Sequence, residues 1–567
     1  MSGAIDPARW FHTLRWLPPR QLAALVWQRA QRAFERPERL AARRPPADPG
    51  VRWDADRMPA PGGRCDPDRL RAGRFTFLNR TEELGWPPRW DSAAVPRLWL
   101  YNLHYFEYLW SLDYEHGREL ILDWIARHPP ARGHAGWEPY PTSLRLLSWC
   151  GWLFAKERAQ AERDVALRER VWPSIWRQAE WLSRHLETHL RGNHLLENAA
   201  ALAFCGACWG GPGESWLARG SEWLDRELPE QMLADGVHFE RSPMYHARVV
   251  YVLSLLAATR APALAQRVAG PLRDARAALA RLCHPDGEIA LLNDAAFGIA
   301  PHPAELLQEP PPEGVFALRD AGYYGARASG HYLVCDAARI GPDYQPGHAH
   351  GDLLSFELSL AGQRVVVDAG VHGYDGDPLR AWCRSTRAHN TVEIDGADQC
   401  EFWSTFRVAR RARPRDVVWR HERDGFRLSA WHDGYERLAG QPRHAREFRW
   451  YRDGVLLVRD RVTASRPVKA VSRLHLHPDC EIEQVSGRRA RIRHPAGVFG
   501  VAFDGEGELA VEPSTYCPEF GSSVEARALA FAADRIGDTG FCIAHGDGKV
   551  DYASASGARV NDRRYPW

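Results

Sequence analysis

Between about Trp99 and Ala300 the apolar residues of this chain recur with a helical period. Trp172, Ile175, Trp176, Ala179, Leu182 and Leu186 fall on one face, the mark of an amphipathic helix. The stretch 195–204 is apolar nearly all round and predicts a fully buried helix. Surface helices alternating with buried ones predict layered helical hairpins, broken at Arg191-Gly192, Gly210-Gly211-Pro212-Gly213 and Pro285-Asp286-Gly287. The period changes at Glu309-Pro310-Pro311-Pro312-Glu313-Gly314. Beyond it the segments are short and alternating, as at 354–360, 364–368, 391–394, 427–431 and 454–460. Ala361-Gly362, Arg423-Asp424-Gly425 and Arg452-Asp453-Gly454 read as hairpin turns between such segments. The pattern predicts a helical domain over 64–308 and stacked antiparallel sheets over 315–567.

The first 63 residues stand apart as a basic helical extension and connector. Leu22, Leu25, Val26, Arg29 and Ala33 follow helical spacing among Arg20, Arg32, Arg36 and Arg39. The favoured expectation is a helix docked on the domain behind it; the lesser one is a basic amphipathic helix touching a membrane. The region from Arg36 to Gly63, rich in Pro, Arg and Ala, reads as an extended connector. No secretory signal pattern opens the chain, so a cytoplasmic place is expected. The longest strongly apolar run, 249–258, is about half a bilayer-spanning length.

Composition narrows the function class. The chain has 567 residues, 45% hydrophobic and 26% charged, as expected of a globular protein of two or more domains. Seventy-four basic and 72 acidic residues leave a net charge of +2, which does not favour wholesale binding to nucleic acid. Any grip on an acidic partner must therefore be local. Eleven cysteines without regular spacing argue against a disulfide framework, and Cys205-x-x-Cys208 lies in an unbroken apolar helix pattern with no second pair.

Three groups of residues carry candidate chemistry. His348-Ala349-His350-Gly351-Asp352 precedes Asp368 and His389-Asn390-Thr391. His350, Asp368 and His389 form an acceptable three-ligand metal set, with His348 left over for proton transfer. If the first segment is extended, His348 and His350 face one cavity. An ideal hairpin at Ala361-Gly362 puts Asp368 opposite a residue near Ser355, so the segment 347–351 has to curl back for the three to meet. Histidines that merely hydrogen-bond in a loop are the other reading. Asn193, His194, Glu197 and Asn198 open a buried helix, where they either line a site or cap the helix. Tyr245, behind Pro243, precedes another apolar helix and alone would read as a core tyrosine.

Taken together, the motifs Asn193 to Asn198, Phe239 to Tyr245, His348 to Asp352 with Asp368, and His389 to Thr391 resemble the heparinase II/III-like polysaccharide lyases, a family that includes related alginate lyases. The resemblance covers about Trp99 to Arg407 and continues as sandwich-like sequence. It implies a multidomain α+β fold, an incomplete (α/α) toroid followed by an antiparallel β-sandwich, with substrate in the cleft between them. It implies β-elimination at a uronic acid of an acidic polysaccharide. Asn193 and His194 would neutralise the substrate carboxylate, with Glu197 orienting the imidazole. Tyr245 would serve as acid, or as acid and base, and His348 as the alternative base. His350, Asp368 and His389 would hold a structural ion, expected to be zinc, and no organic cofactor is implied. Arg241, Arg384 and Arg387 become candidate anion binders, since guanidinium meets carboxylate or sulfate at two points. Tyr101, Asn102, His104, Tyr140 and Arg145 become candidate linings of the toroid cleft.

Two other functions fit parts of this pattern. A glycoside hydrolase on the toroid needs two carboxylates flanking the bond, for which Glu197, Asp235 and Glu240 are candidates. A non-catalytic polysaccharide-binding protein would keep the fold alone. The resemblance is strongest to members associated with bacterial exopolysaccharide production, and it makes the periplasm the alternative location.

Overall fold

The buried helices of the first half touch their amphipathic neighbours closely because small residues sit where they cross. Helix Gly192–Cys208 lies against helix Gly213–Gln231. A Cβ on Gly206 would fall 2.3 Å from Leu217 N, and one on Gly220 would fall 2.5 Å from Ala203 N. Helices Pro139–Gly151, Gly192–Cys208 and Pro243–Ala257 are buried along almost their whole length. Helices Val165–Arg184, Gly213–Gln231 and Pro262–Arg281 bury one stripe each and form the outer layer. The computed structural model describes residues 6–34, 36–46, 58–61, 65–534, 537–546 and 549–567.

After helix Pro303–Leu306 the chain turns to strands, beginning with Gly314–Leu318. Among the described residues two large antiparallel sheets stack, one of nine strands and one of eight. Phe356, Leu358, Phe426, Phe448, Val458 and Phe541 fill the space between them. The nine-stranded sheet has a second buried face. On strand His331–Asp336, Leu333 and Cys335 enter the sandwich core, while Tyr332 and Val334 pack with Val237, Ala278 and Leu282 of the helical domain. A strand covered on both sides cannot alternate, which is why Phe356–Leu360 is buried throughout. Strand Gly425–His432 of the other sheet alternates buried and half-buried positions after its first two residues. The turn at Ala361-Gly362 has positive φ at both residues, as a tight hairpin requires.

The predicted fold class is the one observed, with local differences. The supposed connector contains helix Pro37–Ala42, while 47–57 and 62–64 lie outside the described residues. A strand pair, Arg74–Phe77 with Arg80–Glu83, sits within the helical half. The segment around His348 and His350 is a loop between strands His331–Asp336 and Phe356–Leu360. Helix Pro19–Phe34 docks on the helical domain, but by its polar face. Gln21 donates to His189 O at 3.0 Å and Gln31 to Arg184 O at 2.8 Å, while Leu22, Leu25 and Val26 are exposed. No helix among the described residues is long and apolar enough to cross a membrane.

Candidate active site

The loop carrying the two histidines curls back onto the end of the helical domain. Asp294 N donates to His348 O at 3.0 Å, His350 N to Asn293 Oδ1 at 3.1 Å, and Gly351 N to Arg384 O at 2.9 Å. Asn293 takes positive φ there, a conformation that asparagine tolerates. Both imidazoles meet one buried carboxylate: His348 Nδ1 lies 2.9 Å from Asp294 Oδ2, and His350 Nε2 lies 2.8 Å from Oδ1. Arg380 grips both oxygens of the same group. Burial alone would raise the Asp294 pKa, but Arg380 and the imidazoles hold it well below the usual carboxylate range. Helix Pro378–Arg384 brings Arg380 there, and Asp377 caps that helix by accepting from Arg380 N.

His348 packs against Tyr245 with ring centroids 4.1 Å apart and the rings tilted by 39°. Tyr245 belongs to helix Pro243–Ala257, whose N-cap is Ser242, and its hydroxyl lies 2.7 Å from that of Tyr374. Burial raises the Tyr245 pKa, so the phenol keeps its proton. On its other side His348 Nε2 lies 3.3 Å from Glu240 Oε2. Burial likewise raises the Glu240 pKa, against the pull of His348 and the Asn193 N–H.

Glu240 joins the two halves of the site. Its Oε1 accepts from Asn193 N at 2.8 Å, so the start of helix Gly192–Cys208 is capped by a carboxylate from another segment rather than by Asn193. Gly192 is required there, because a Cβ on it would fall 2.2 Å from Glu240 Oε1. Asn193 Oδ1 is buried without a hydrogen-bond partner. His194 stacks on Tyr140 at 4.2 Å and bonds Glu187 Oε1 at 3.2 Å. Burial would lower its pKa, but the Glu187 carboxylate outweighs that and raises it. Tyr140, Tyr245, Tyr374, Arg248 and Phe520 line a cavity of about 230 Å³ between helical domain and sandwich.

Residues 120–299 match the heparinase II/III N-terminus, and residues 310–554 match the heparinase II/III-like C-terminal domain. The chain belongs to the heparinase II/III-like family. Among curated proteins, the heparin-sulfate lyase of Pedobacter heparinus is 26% identical over 327 residues, which are 50% of this chain and 49% of that protein. The match therefore spans about half the length of that relative. Among solved structures, heparinase III gives a TM-score of 0.71 at 14% identity, covering 100% of this chain and 99% of the other. A heparan sulfate lyase from Pedobacter heparinus gives 0.62 at 18%, with 96% and 94% covered. At these identities the structural likeness is one of fold. It shows a heparinase II/III-like helical toroid followed by a β-sandwich.

In this family member His350, Asp368 and His389 converge, each offering a ligand atom within 4.8 Å of the others. His350 Nδ1 and His389 Nε2 are buried without a hydrogen-bond partner, and Asp368 Oδ2 lies 2.8 Å from His389 Nδ1. Unsatisfied imidazole nitrogens beside a buried carboxylate fit a metal ion. Asp294, bonded to His350 Nε2, would supply the outer carboxylate that orients an imidazole ligating a bound ion. A second cluster, Asp91 with His104 and His134, fits less well. Trp124 Nε1 donates to His104 Nδ1, Gly136 N donates to His134 Nδ1, and His134 Nε2 is bonded to Asp91.

Other candidates are committed to the framework. Glu197 does not orient His194. Its two oxygens accept from Tyr140 at 2.9 Å and Arg248 at 3.0 Å, and the orienting acid is Glu187. The Arg241 guanidinium is buried and donates to the carbonyls of Ala321, Phe239 and Asp320. Arg384 is buried and donates to the carbonyls of Ala349, Ser404 and Thr405, and burial pushes its pKa down to about 9. Arg145 lies inside the toroid, bonded to Gln178 and His104 O, with its guanidinium 4.0 Å from the Trp124 ring centre. His104 is fully buried, and Tyr101 bonds Glu138. Of the proposed cleft lining, Tyr140 and Asn102 face the cavity.

Sequence reasoning missed Asp294, Arg380, Tyr374 and Glu187. Asn293-Asp294 did leave a signal, since a polar pair interrupting Leu291-Leu292 and Ala295-Ala296 implies a buried acid with partners.

Proposed function

We propose that this protein is a carbon–oxygen lyase that cleaves a uronate-containing polysaccharide by β-elimination, leaving a 4,5-unsaturated uronate end. The observation that carries this reading is the close contact of His348 with Tyr245, with His348 Nδ1 held by Asp294. With Nδ1 held by Asp294, the His348 imidazole is oriented for proton transfer at Nε2, the atom that also lies beside Glu240 Oε2. The Tyr245 phenol, protonated and buried, can supply a proton to the departing O4. Removing the C5 proton also needs the adjacent carboxylate to be neutralised, because negative charge builds there in the transition state. Asn193, through its side-chain amide N–H, and His194, whose cation the Glu187 carboxylate favours, are the groups available for that. Arg248 and Tyr140 line the neighbouring cavity, where both are bonded to Glu197.

The hydrolase reading is weaker. Glu197 is tied to Arg248, and Asp235 accepts from Val237 N and Ala321 N. We assign the ion at His350, Asp368 and His389 to zinc, which takes imidazole and carboxylate donors. When bound it would fix the loop that carries His348, and the proton transfers would belong to side chains.

Purified protein incubated with heparan sulfate, heparin, chondroitin, hyaluronan, alginate and glucuronan tests the proposal. The expected result is ultraviolet absorbance from the new C4–C5 double bond with at least one polymer. Heparan sulfate comes first because the relatives are named for it. New reducing ends without absorbance would mean hydrolysis instead.

A further inference from the structure

Helix Pro19–Phe34 is mounted inside out. Gln21, Ala24, Gln28 and Gln31, spaced three and four apart, form the face toward the toroid. Gln31 there donates to the carbonyl of Arg184, at the end of helix Val165–Arg184, where unpaired carbonyls are expected. The apolar stripe points the other way: Val26 and Trp27 are each 68% exposed and Phe34 is 84% exposed. In the preceding helix, Pro7–Leu14, Phe11 is 61% exposed. Hydrophobic surface gathered on one face while the polar face is docked calls for a covering partner.

Charge says which partner. Residues 7–34 carry Arg9, Arg15, Arg20, Arg29 and Arg32 and no acidic residue, in a chain whose net charge is only +2, and of these Arg9 and Arg20 pair with Glu401 and Glu230, each at 3.4 Å. Arg29 falls within the stripe and is exposed, with no acidic partner among the described residues. A second copy would set this basic face against itself under two-fold symmetry, with arginine opposing arginine. An anionic lipid surface matches both features, since it takes apolar and aromatic side chains at the acyl boundary and arginines at the headgroups.

We propose that residues 7–34 form a docking face for an anionic bilayer surface, with helix Pro19–Phe34 lying in the interface plane. The attachment reaches the active-site cleft. Trp10 packs edge-on against Trp403 at 4.9 Å, and Trp403 Nε1 donates to Thr13 Oγ1 at 3.1 Å. Trp403 pairs with Arg407 across a hairpin whose Phe406 ring lies 6.2 Å from that of His348. The docking face is therefore fastened to the hairpin that flanks the cleft.

Co-sedimentation of the full chain with phosphatidylcholine vesicles, with and without about one third phosphatidylserine, tests this. Wild-type protein is expected to pellet with the anionic vesicles and remain in solution with the neutral ones. The triple substitution Val26→Ser, Trp27→Ser and Phe34→Ser should abolish pelleting, and Arg29→Gln should weaken it about fivefold. All four positions are exposed, so melting temperature and polymer cleavage in solution should not change. The proposal is overturned if wild type does not pellet with anionic vesicles or if the triple variant pellets as wild type does. It is equally overturned if the chain dimerises through this face, the triple variant is monomeric, and neither binds vesicles.

Discussion

His348 Nδ1 and Asp294 Oδ2 are 2.9 Å apart, and the other oxygen of the same carboxylate holds His350, a candidate metal ligand. One acid from the end of the helical domain thus positions both the candidate base and the candidate ion site of the sandwich. Asp294→Asn removes the negative charge and leaves one oxygen to serve two imidazoles and Arg380. Turnover should fall by about two to four orders of magnitude, the usual worth of positioned proton transfer. Metal affinity should fall about 10- to 100-fold through the lost outer carboxylate. Parallel measurement of kcat and bound metal checks this; full activity in the variant would remove His348 from the chemistry.

Tyr245→Phe should lower kcat by at least about two orders of magnitude while leaving KM nearly unchanged, because the phenol hydroxyl is the group placed to move a proton. Tyr374→Phe removes the hydroxyl 2.7 Å from it and should cost much less, since Tyr245 keeps its own proton. Steady-state kinetics on one cleaved polymer separate the two. Equal losses would move the acid role to the pair.

The folded-state pKa of His194 is raised, so its imidazolium persists above the ordinary histidine value of about 6.5 and is lost as pH rises through the folded value. An activity that needs this cation therefore holds at lower pH and declines on the alkaline side. In Glu187→Gln the carboxylate that outweighs burial is gone, the His194 pKa drops, and the alkaline limb of kcat/KM should move to lower pH. The same sign applies to stability: the His194–Glu187 contribution is complete below the unfolded pKa and disappears at high pH. An unmoved limb in the pH profile would show that another group sets it.

The helical half was legible because its buried and amphipathic helices differ in pattern, as at Leu195 to Phe204 against Trp172 to Leu186. Sheet turns were legible where Gly marks them, at Ala361-Gly362 and Arg452-Asp453-Gly454. Within the site, His350, Asp368 and His389 were readable as a set, because few residue types ligate metals. Arg241, Arg384 and Arg145 were misread for a physical reason. A sequence shows a guanidinium but not the carbonyls it donates to, and all three are buried against backbone or core. Asp294 was hidden because its role depends on a loop from another domain curling onto it.

Metal analysis of the purified protein should find an ion bound to each chain, and His350→Ala should lower metal affinity more than about 100-fold, since a ligand counts for more than its outer partner. The variant should melt at lower temperature, because binding free energy at a structural site is folding free energy. Chelation of wild type should give the same shift and leave the variant almost unaffected. Metal-free protein with an unchanged melting curve would reduce the three residues to a hydrogen-bonded cluster.

Arg241→Ala separates framework from substrate binding. The side chain donates to three carbonyls in a buried setting, and its loss leaves acceptors without donors. The cost should be on the order of 3 kcal/mol of stability, given about 1–3 kcal/mol for an unsatisfied buried group. The variant that still folds should keep the KM of wild type, because the Arg241 guanidinium is buried against those backbone carbonyls. A large rise in KM with an unchanged melting temperature would restore Arg241 to the cleft.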